Sequence, residues 1–424
     1  MLPGSEHEYL RRYIDEELDA LLPSLHGIAI DGPKGVGKTV TASRRANRTF
    51  RVDEESSRNL LISAGKQALT SAPTVLIDEW QHYPPLWDSV RRLIDAQVST
   101  HFLFTGSASP ITNDNTHSGA GRIISLRLRP LALSERAGTQ PRIFINDIFE
   151  QAPLSSPIHG ESSFSYSDYA QAICATGFPQ ITQLPPRARR ASIDGYIARL
   201  VDRDLPEQGI MIRRPSALRA WLTAYAGATA TTASYTKILA AALPNEGEQP
   251  SKSAANNYRS LLEKLWILDP LPAWLPTYTP LTRLSKAAKH HLADPGLAAY
   301  LMGVSEDTLT SGQPGTAEIF GQLFESLMLL TLRAAAGASE AKTYHFRSKS
   351  GEHEVDAILE RYDGKVIAFE AKSSALVEER DVKHLNWLGA QLGSRLLDKI
   401  VVYTGQYAYR RPDGVAVIPL ALLG

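Results

Sequence analysis

Short apolar runs alternate with longer amphipathic stretches through the first part of the chain. Residues 27–31, 75–78 and 101–105 are compact, largely apolar segments bounded by polar or glycine-containing turns, and each predicts a buried strand. Segments 38–48, 57–70 and 86–97 carry apolar positions at helical spacing. Strand and helix in alternation predict a parallel sheet covered by helices, an α/β architecture. Around 138 the alternation dissolves into Gly138-Thr139-Gln140-Pro141, and proline, serine and glycine stay frequent through Ser165.

From about 167 to 303 the periodicity is mostly helical, clearest at 216–225, 235–243 and 258–268. Three short helices followed by a strand-like stretch at 267–274 suggest a winged helix-turn-helix, whose third helix would present Lys252, Asn256, Asn257 and Arg259. Such a fold can touch a DNA backbone or serve as a protein contact module. A boundary is expected near 310–315, followed by a long helix at about 316–336 and then strands and helices to the end.

The chemistry begins after the first strand. Gly32-Pro33-Lys34-Gly35-Val36-Gly37-Lys38-Thr39 matches the P-loop pattern, between a predicted strand and a predicted helix. Glycines at 32, 35 and 37 let backbone N–H groups turn inward around phosphate oxygens. Lys38 would reach the β- and γ-phosphates, and the Thr39 hydroxyl would ligate magnesium, so ATP and Mg2+ are the expected cofactors. Thr74 to Glu79 then has the form of a Walker B strand: Asp78 can hold the magnesium and Glu79 can polarise the attacking water. The third strand ends in Thr105-Gly106-Ser107, so Thr105 or Ser107 is the candidate γ-phosphate sensor; a simple turn closing the strand is the alternative.

A second constellation lies near the end. Residues 352–360 read as a strand placing Glu354, Asp356 and Ile358 on one face. After a turn at 362–365, Val366–Lys372 returns antiparallel, with Glu370 and Lys372 sharing a face. This resembles the core of PD-(D/E)xK nucleases, in which Asp356 and Glu370 would hold a divalent metal and Lys372 would position the attacking water. Glu325, on the preceding helix, could add a further acid. Charges on an exposed hairpin face would give a similar pattern.

Together these features resemble the AAA+ ATPases that carry a C-terminal DUF4143 region. The resemblance spans nearly the whole chain. It rests on 32–39, on 76–81 with Pro84 and Trp87, and on 105–107. It also rests on Gly121-Arg122, on 128–135, on Ala293-Asp294-Pro295-Gly296-Leu297, and on 351–356 with Glu370-Ala371-Lys372. It implies a P-loop ATPase core at 1–140, a polar linker or extension at 141–190, a helical winged-helix-like region at 191–310 and a nuclease-like domain at 311–424. Lys34 stands where family members often have arginine. Arg122 is nominated as an arginine finger or sensor acting on its own or a neighbouring subunit's γ-phosphate, with Arg129 in reserve; pairing with a surface carboxylate is the alternative.

Composition narrows the partners. The 424 residues hold 45 Lys+Arg and 45 Asp+Glu, so any basic nucleic-acid surface must be local. A lone cysteine, Cys174, excludes an intramolecular disulfide and a cysteine zinc cluster and fits a reducing compartment. Acids and arginines interrupt the first residues, and no run of about 18 uninterrupted apolar residues occurs, so no membrane span and a cytoplasmic location are expected. The leading expectation is an ATPase whose nucleotide state controls a nuclease-like domain acting on DNA. The alternative is a nucleotide-dependent switch or scaffold whose C-terminal domain is catalytically inactive and docks a protein partner; assembly into a homo-oligomer fits either.

Overall fold

The computed structural model describes residues 9–106, 121–136, 138–150, 157–207, 214–242, 251–276, 286–348 and 350–424. Its first sheet is wholly parallel. Strands β1 (Gly27–Asp31), β2 (Arg48–Arg51), β3 (Thr74–Asp78), β4 (His101–Thr105) and β5 (Ile124–Arg127) lie in the order β2-β3-β4-β1-β5. The apolar runs are the central strands, buried on both faces as a helix-covered parallel sheet requires. Ala29, Val75, Ile77, Phe102 and Phe104 pack under helices Glu55–Leu69 and Pro85–Asp95. Ile28, Ile30, Leu76 and Leu103 face the larger core of the molecule.

Strands β2 and β5 were not expected from the pattern. Both lie at sheet edges, and in β2 only Phe50 is buried, so neither shows the apolar run that marks a central strand.

The second sheet has seven strands, in the order β6-β11-β12-β10-β9-β8-β7. They are β6 (Gly160–Glu161), β7 (Ala341–Arg347), β8 (Glu354–Arg361), β9 (Val366–Lys372), β10 (Leu396–Tyr403), β11 (Tyr407–Arg410) and β12 (Ala416–Pro419). The hairpin expected at β8 and β9 is present and antiparallel, with Ala357 opposite Phe369. Helix Thr316–Ala338 covers one face and helix Glu379–Leu392 the other. Val355 and Ile358, three residues apart, both join the core beneath Glu379–Leu392, and the β7–β8 register shifts beside them. Strict alternation is therefore broken at Asp356–Ala357, as a bulge does, and Ile358 does not share the face expected for it.

Residues 142–150 and 157–161 lie against this second sheet. Arg142 and Ile143 donate to the Leu422 carbonyl at 2.9 and 3.0 Å, and β6 pairs with β11 at the sheet edge. Between the sheets lie helices Tyr166–Ala175, Pro186–Arg199, Pro215–Gly227, Tyr235–Ala241, Lys252–Lys264 and Pro295–Leu301, with Leu268 bridged to Leu292 and Leu271 to Lys289. Lys252, Asn256 and Asn257 are exposed, while Arg259 lies over the Tyr235 ring.

Helix Thr316–Ala338, 23 residues, is long and apolar enough to cross a membrane by length and composition, and it is mostly buried inside the protein. It packs against the second sheet and against helix Tyr13–Leu21, so the N-terminal helix joins the two ends of the chain.

Candidate functional site

The P-loop closes the C-terminal end of β1. Gly32 and Gly37 have φ of 154° and 102°, which side chains rarely adopt, and a Cβ on Gly32 would run into the Leu128 carbonyl. Lys38, the first residue of helix Lys38–Ser43, folds back into this loop and donates to the Gly32 and Pro33 carbonyls, both at 2.8 Å. Its burial pushes the ammonium down to about 8, against the opposing pull of Glu79, Asp31 and Asp78.

Because β4 lies between β1 and β3, Thr105 stands between the P-loop strand and the Walker B strand, in register with both Ile30 and Asp78. One carboxylate oxygen collects the result. Asp78 Oδ1 accepts from the Thr39 hydroxyl at 2.8 Å and from the Thr105 hydroxyl at 2.6 Å. Glu79 follows with φ 52°, a left-handed conformation uncommon for a side chain, and its carboxylate accepts from Gln81 Nε2. A cleft of about 410 Å³ borders the loop, lined by Lys34, Gly35, Tyr196, Arg199 and Asp204, and Lys34 pairs with Asp204 at 3.2 Å.

In the C-terminal part of the chain, β8, β9 and helix Thr316–Ala338 gather a second charged cluster. Asp356 Oδ2 accepts from the Ala371 N–H at 3.0 Å, and Lys372 pairs with Glu370 at 3.0 Å. Burial and the neighbouring Asp356 raise the Glu370 carboxyl; burial and Asp356 push Glu325 up to about 8. Lys289, from the middle region, enters this cluster. Its Nζ lies 3.0 Å from Glu325, 3.0 Å from Glu354 and 2.9 Å from Asp356.

Comparison with known proteins bears on the region that carries the first of these sites. The chain carries an AAA domain. Its family model covers residues 26–137, and two domains of unknown function follow, DUF8612 over 166–308 and DUF4143 over 320–423. Uncharacterized proteins of Mycobacterium bovis and Mycobacterium tuberculosis are each 23% identical over 402 residues, spanning 92% of this chain and 79% of theirs.

Within the AAA domain, Lys38, Thr39, Asp78, Glu79 and Thr105 converge on one end of the sheet; Ser107 lies outside the described residues. Arg122 does not join them. β5 runs parallel to β1, so Arg122, just before β5, sits where β1 begins, and a Cβ on Gly27 would come 2.9 Å from its carbonyl. Its Nε donates to Asp95 at 2.7 Å, a strand's length from the P-loop of its own chain. Arg129 instead pairs with Asp269 at 3.0 Å.

The acids expected to hold a second metal are also arranged differently. Glu325 and Asp356 converge, but on the ammonium of Lys289; among the described residues no group of three or more His, Cys, Asp or Glu is placed to hold a metal ion. The residues present therefore do not fit a resident divalent metal. Lys289 escaped the sequence reading because 36 and 67 residues separate it from Glu325 and Asp356. Two other motifs are structural. Asp294, fully buried, accepts from Thr176 and from the Gly177 N–H, both at 2.6 Å, and Glu135 pairs with Arg12 at 3.1 Å.

Proposed function

We propose that this chain is an ATP-hydrolysing switch, in which nucleotide at the P-loop sets how the AAA domain, the helical middle region and the C-terminal domain pack together. The observation that carries the hydrolysis is the convergence of Thr39 and Thr105 on Asp78 beside the buried Lys38. The hard oxygens of Thr39 and Asp78 fit magnesium, which when bound neutralises phosphate charge. Lys38 supplies a fixed cation to the phosphates, Thr105 orients the Asp78 carboxylate, and Glu79 accepts the proton of the attacking water.

Two contacts support transmission. Arg12, at the start of helix Tyr13–Leu21, donates to the Val36 carbonyl in the P-loop at 3.2 Å and to the Arg129 carbonyl at 2.8 Å, while the helix body rests on Thr316–Ala338. Asp269 of the middle region is held at once by Arg127 and Arg129 of the AAA domain and by Arg333 of Thr316–Ala338, at 2.9, 3.0 and 3.0 Å. In this reading a protein partner docks on the C-terminal domain.

A second reading, control of a nuclease acting on DNA, is favoured by the grouping of Asp356, Glu370 and Lys372 on adjacent strands. ATP turnover by wild type and Lys38→Ala, with and without DNA at two salt concentrations, tests both. Turnover lost in Lys38→Ala and indifferent to DNA supports the switch. Turnover stimulated by DNA in a salt-sensitive manner supports the nuclease reading. Absence of turnover under all conditions removes the ATPase itself.

A further inference from the structure

The carboxylate cluster of the C-terminal domain already has a cation. Lys289 is 1% exposed; its ammonium donates to Glu325 Oε1 and Asp356 Oδ1 at 3.0 and 2.9 Å and forms an ion pair with Glu354 Oε1 at 3.0 Å. An ammonium buried without such partners would be too costly to keep charged, and three carboxylates around an empty centre would repel one another. Each side of the contact therefore needs the other.

Glu370 Oε2, beside them, is buried and makes no hydrogen bond, although its other oxygen holds Lys372. The cluster thus has more oxygen donors than the ammonium uses. As they stand these oxygens are not placed to hold a metal ion, and a cation replacing the ammonium would have to draw them in.

Lys289 comes from outside the domain. Its backbone exchanges hydrogen bonds with Leu271, at 2.8 and 2.9 Å, and the next residue, His290, donates its N–H to the Thr231 carbonyl at 2.8 Å. The strand-like pair 271 and 289 is tied to the middle region on one side and to the second sheet on the other, where the Trp274 N–H donates to the His345 carbonyl of β7 at 2.6 Å, and so it carries the ammonium across the junction between the two. A divalent ion would need the same oxygens drawn in to about 2.0–2.6 Å of one point, the point that Nζ now holds.

We propose that Lys289 is the resident cation of this cluster and that it excludes divalent metal as long as the middle region is seated. Ammonium and divalent ion are alternatives at one position. The middle region acts as a plug, and phosphodiester chemistry of the nuclease type is closed off in the seated arrangement. This inference rests on the C-terminal contacts alone and is independent of ATP hydrolysis.

The test is Mn2+ binding by full-length protein without nucleotide, followed by isothermal titration and by the electron paramagnetic resonance of free Mn2+. Wild type, Asp356→Asn, Lys289→Ala and Lys289→Ala/Asp356→Asn are compared, so that weak binding at the P-loop cancels. Lys289→Ala is expected to take up an additional Mn2+, at least about tenfold more tightly than wild type takes any at this cluster, and the Asp356→Asn double variant is expected to lose it. If Lys289→Ala does not fold, Lys289→Gln/Glu354→Gln, which removes one negative charge with the positive one, carries the same expectation. Wild-type Mn2+ binding that Asp356→Asn abolishes would overturn the proposal, as would a folded Lys289 variant with no added Mn2+.

Discussion

The Thr105 hydroxyl donates to Asp78 Oδ1 at 2.6 Å, inside the sheet and 1% exposed, on the same oxygen that accepts from Thr39. A hydroxyl that orients a buried carboxylate contributes about 1.5–3 kcal/mol through its charge-assisted bond. Thr105→Val keeps the shape and removes the donor. Its kcat for ATP hydrolysis is expected to fall about 10- to 100-fold with a smaller change in KM, measured by steady-state phosphate release.

Lys38 is expected to give ATP binding a pH dependence. Burial lowers its ammonium to about 8 in the absence of ligand, and phosphate oxygens favour the charged form, so binding raises it again. Below pH 8 the free protein already carries the charge and affinity is flat. Above pH 8 binding must take up a proton, and affinity falls up to about tenfold per pH unit until the bound group also titrates. Calorimetric titration with ATP from pH 7 to pH 10 checks this; Lys38→Arg, charged throughout, should abolish the decline.

Arg12 is 4% exposed and divides its guanidinium among the Val36 carbonyl, the Arg129 carbonyl and Glu135. A lysine keeps the charge but not the planar fork, leaving at least one buried carbonyl unpaired at about 1–3 kcal/mol. ATP is expected to change amide hydrogen exchange in Thr316–Ala338 of wild type, and Arg12→Lys should lose that change while still binding ATP.

Asp269 joins three parts of the chain. Its burial would raise the carboxyl, yet Arg127, Arg333 and Arg129 outweigh burial and hold it well below the usual carboxylate range. Such a depressed group adds stability above its unfolded value near 4, and that stability is lost as pH falls through the folded one. Asp269→Asn leaves three guanidinium groups, that of Arg333 buried and those of Arg127 and Arg129 partly so, facing a neutral amide, and should cost about 3–5 kcal/mol in urea denaturation at pH 7. The variant should also lose part of the acid sensitivity that wild type shows below about pH 4.

Legibility followed distance along the chain. The phosphate loop could be read directly because glycines, Lys38 and Thr39 act within eight consecutive residues, where backbone chemistry dictates residue type. The β8–β9 hairpin was legible for the same reason, since a short turn fixes which strands pair. Strands β2, β5 and β6 were not, because edge strands bury too little to show a period. The distance of Arg122 from the P-loop of its own chain was not legible, because adjacency to a strand does not say at which end of the sheet the residue emerges.

The sequence by itself determined the local chemistry: a nucleotide loop, a carboxylate pair after an apolar strand, and an acidic hairpin. Tertiary structure alone decided what those charges meet. Thr105 reached Asp78 because β4 lies between β1 and β3, and Lys289 reached Glu325, Glu354 and Asp356 because the middle region docks on the second sheet. Charges separated by tens of residues have no preferred distance in an extended chain. Folding brings them together only because apolar burial elsewhere holds the elements in place, and a buried ion pair is then required to satisfy what burial has enclosed.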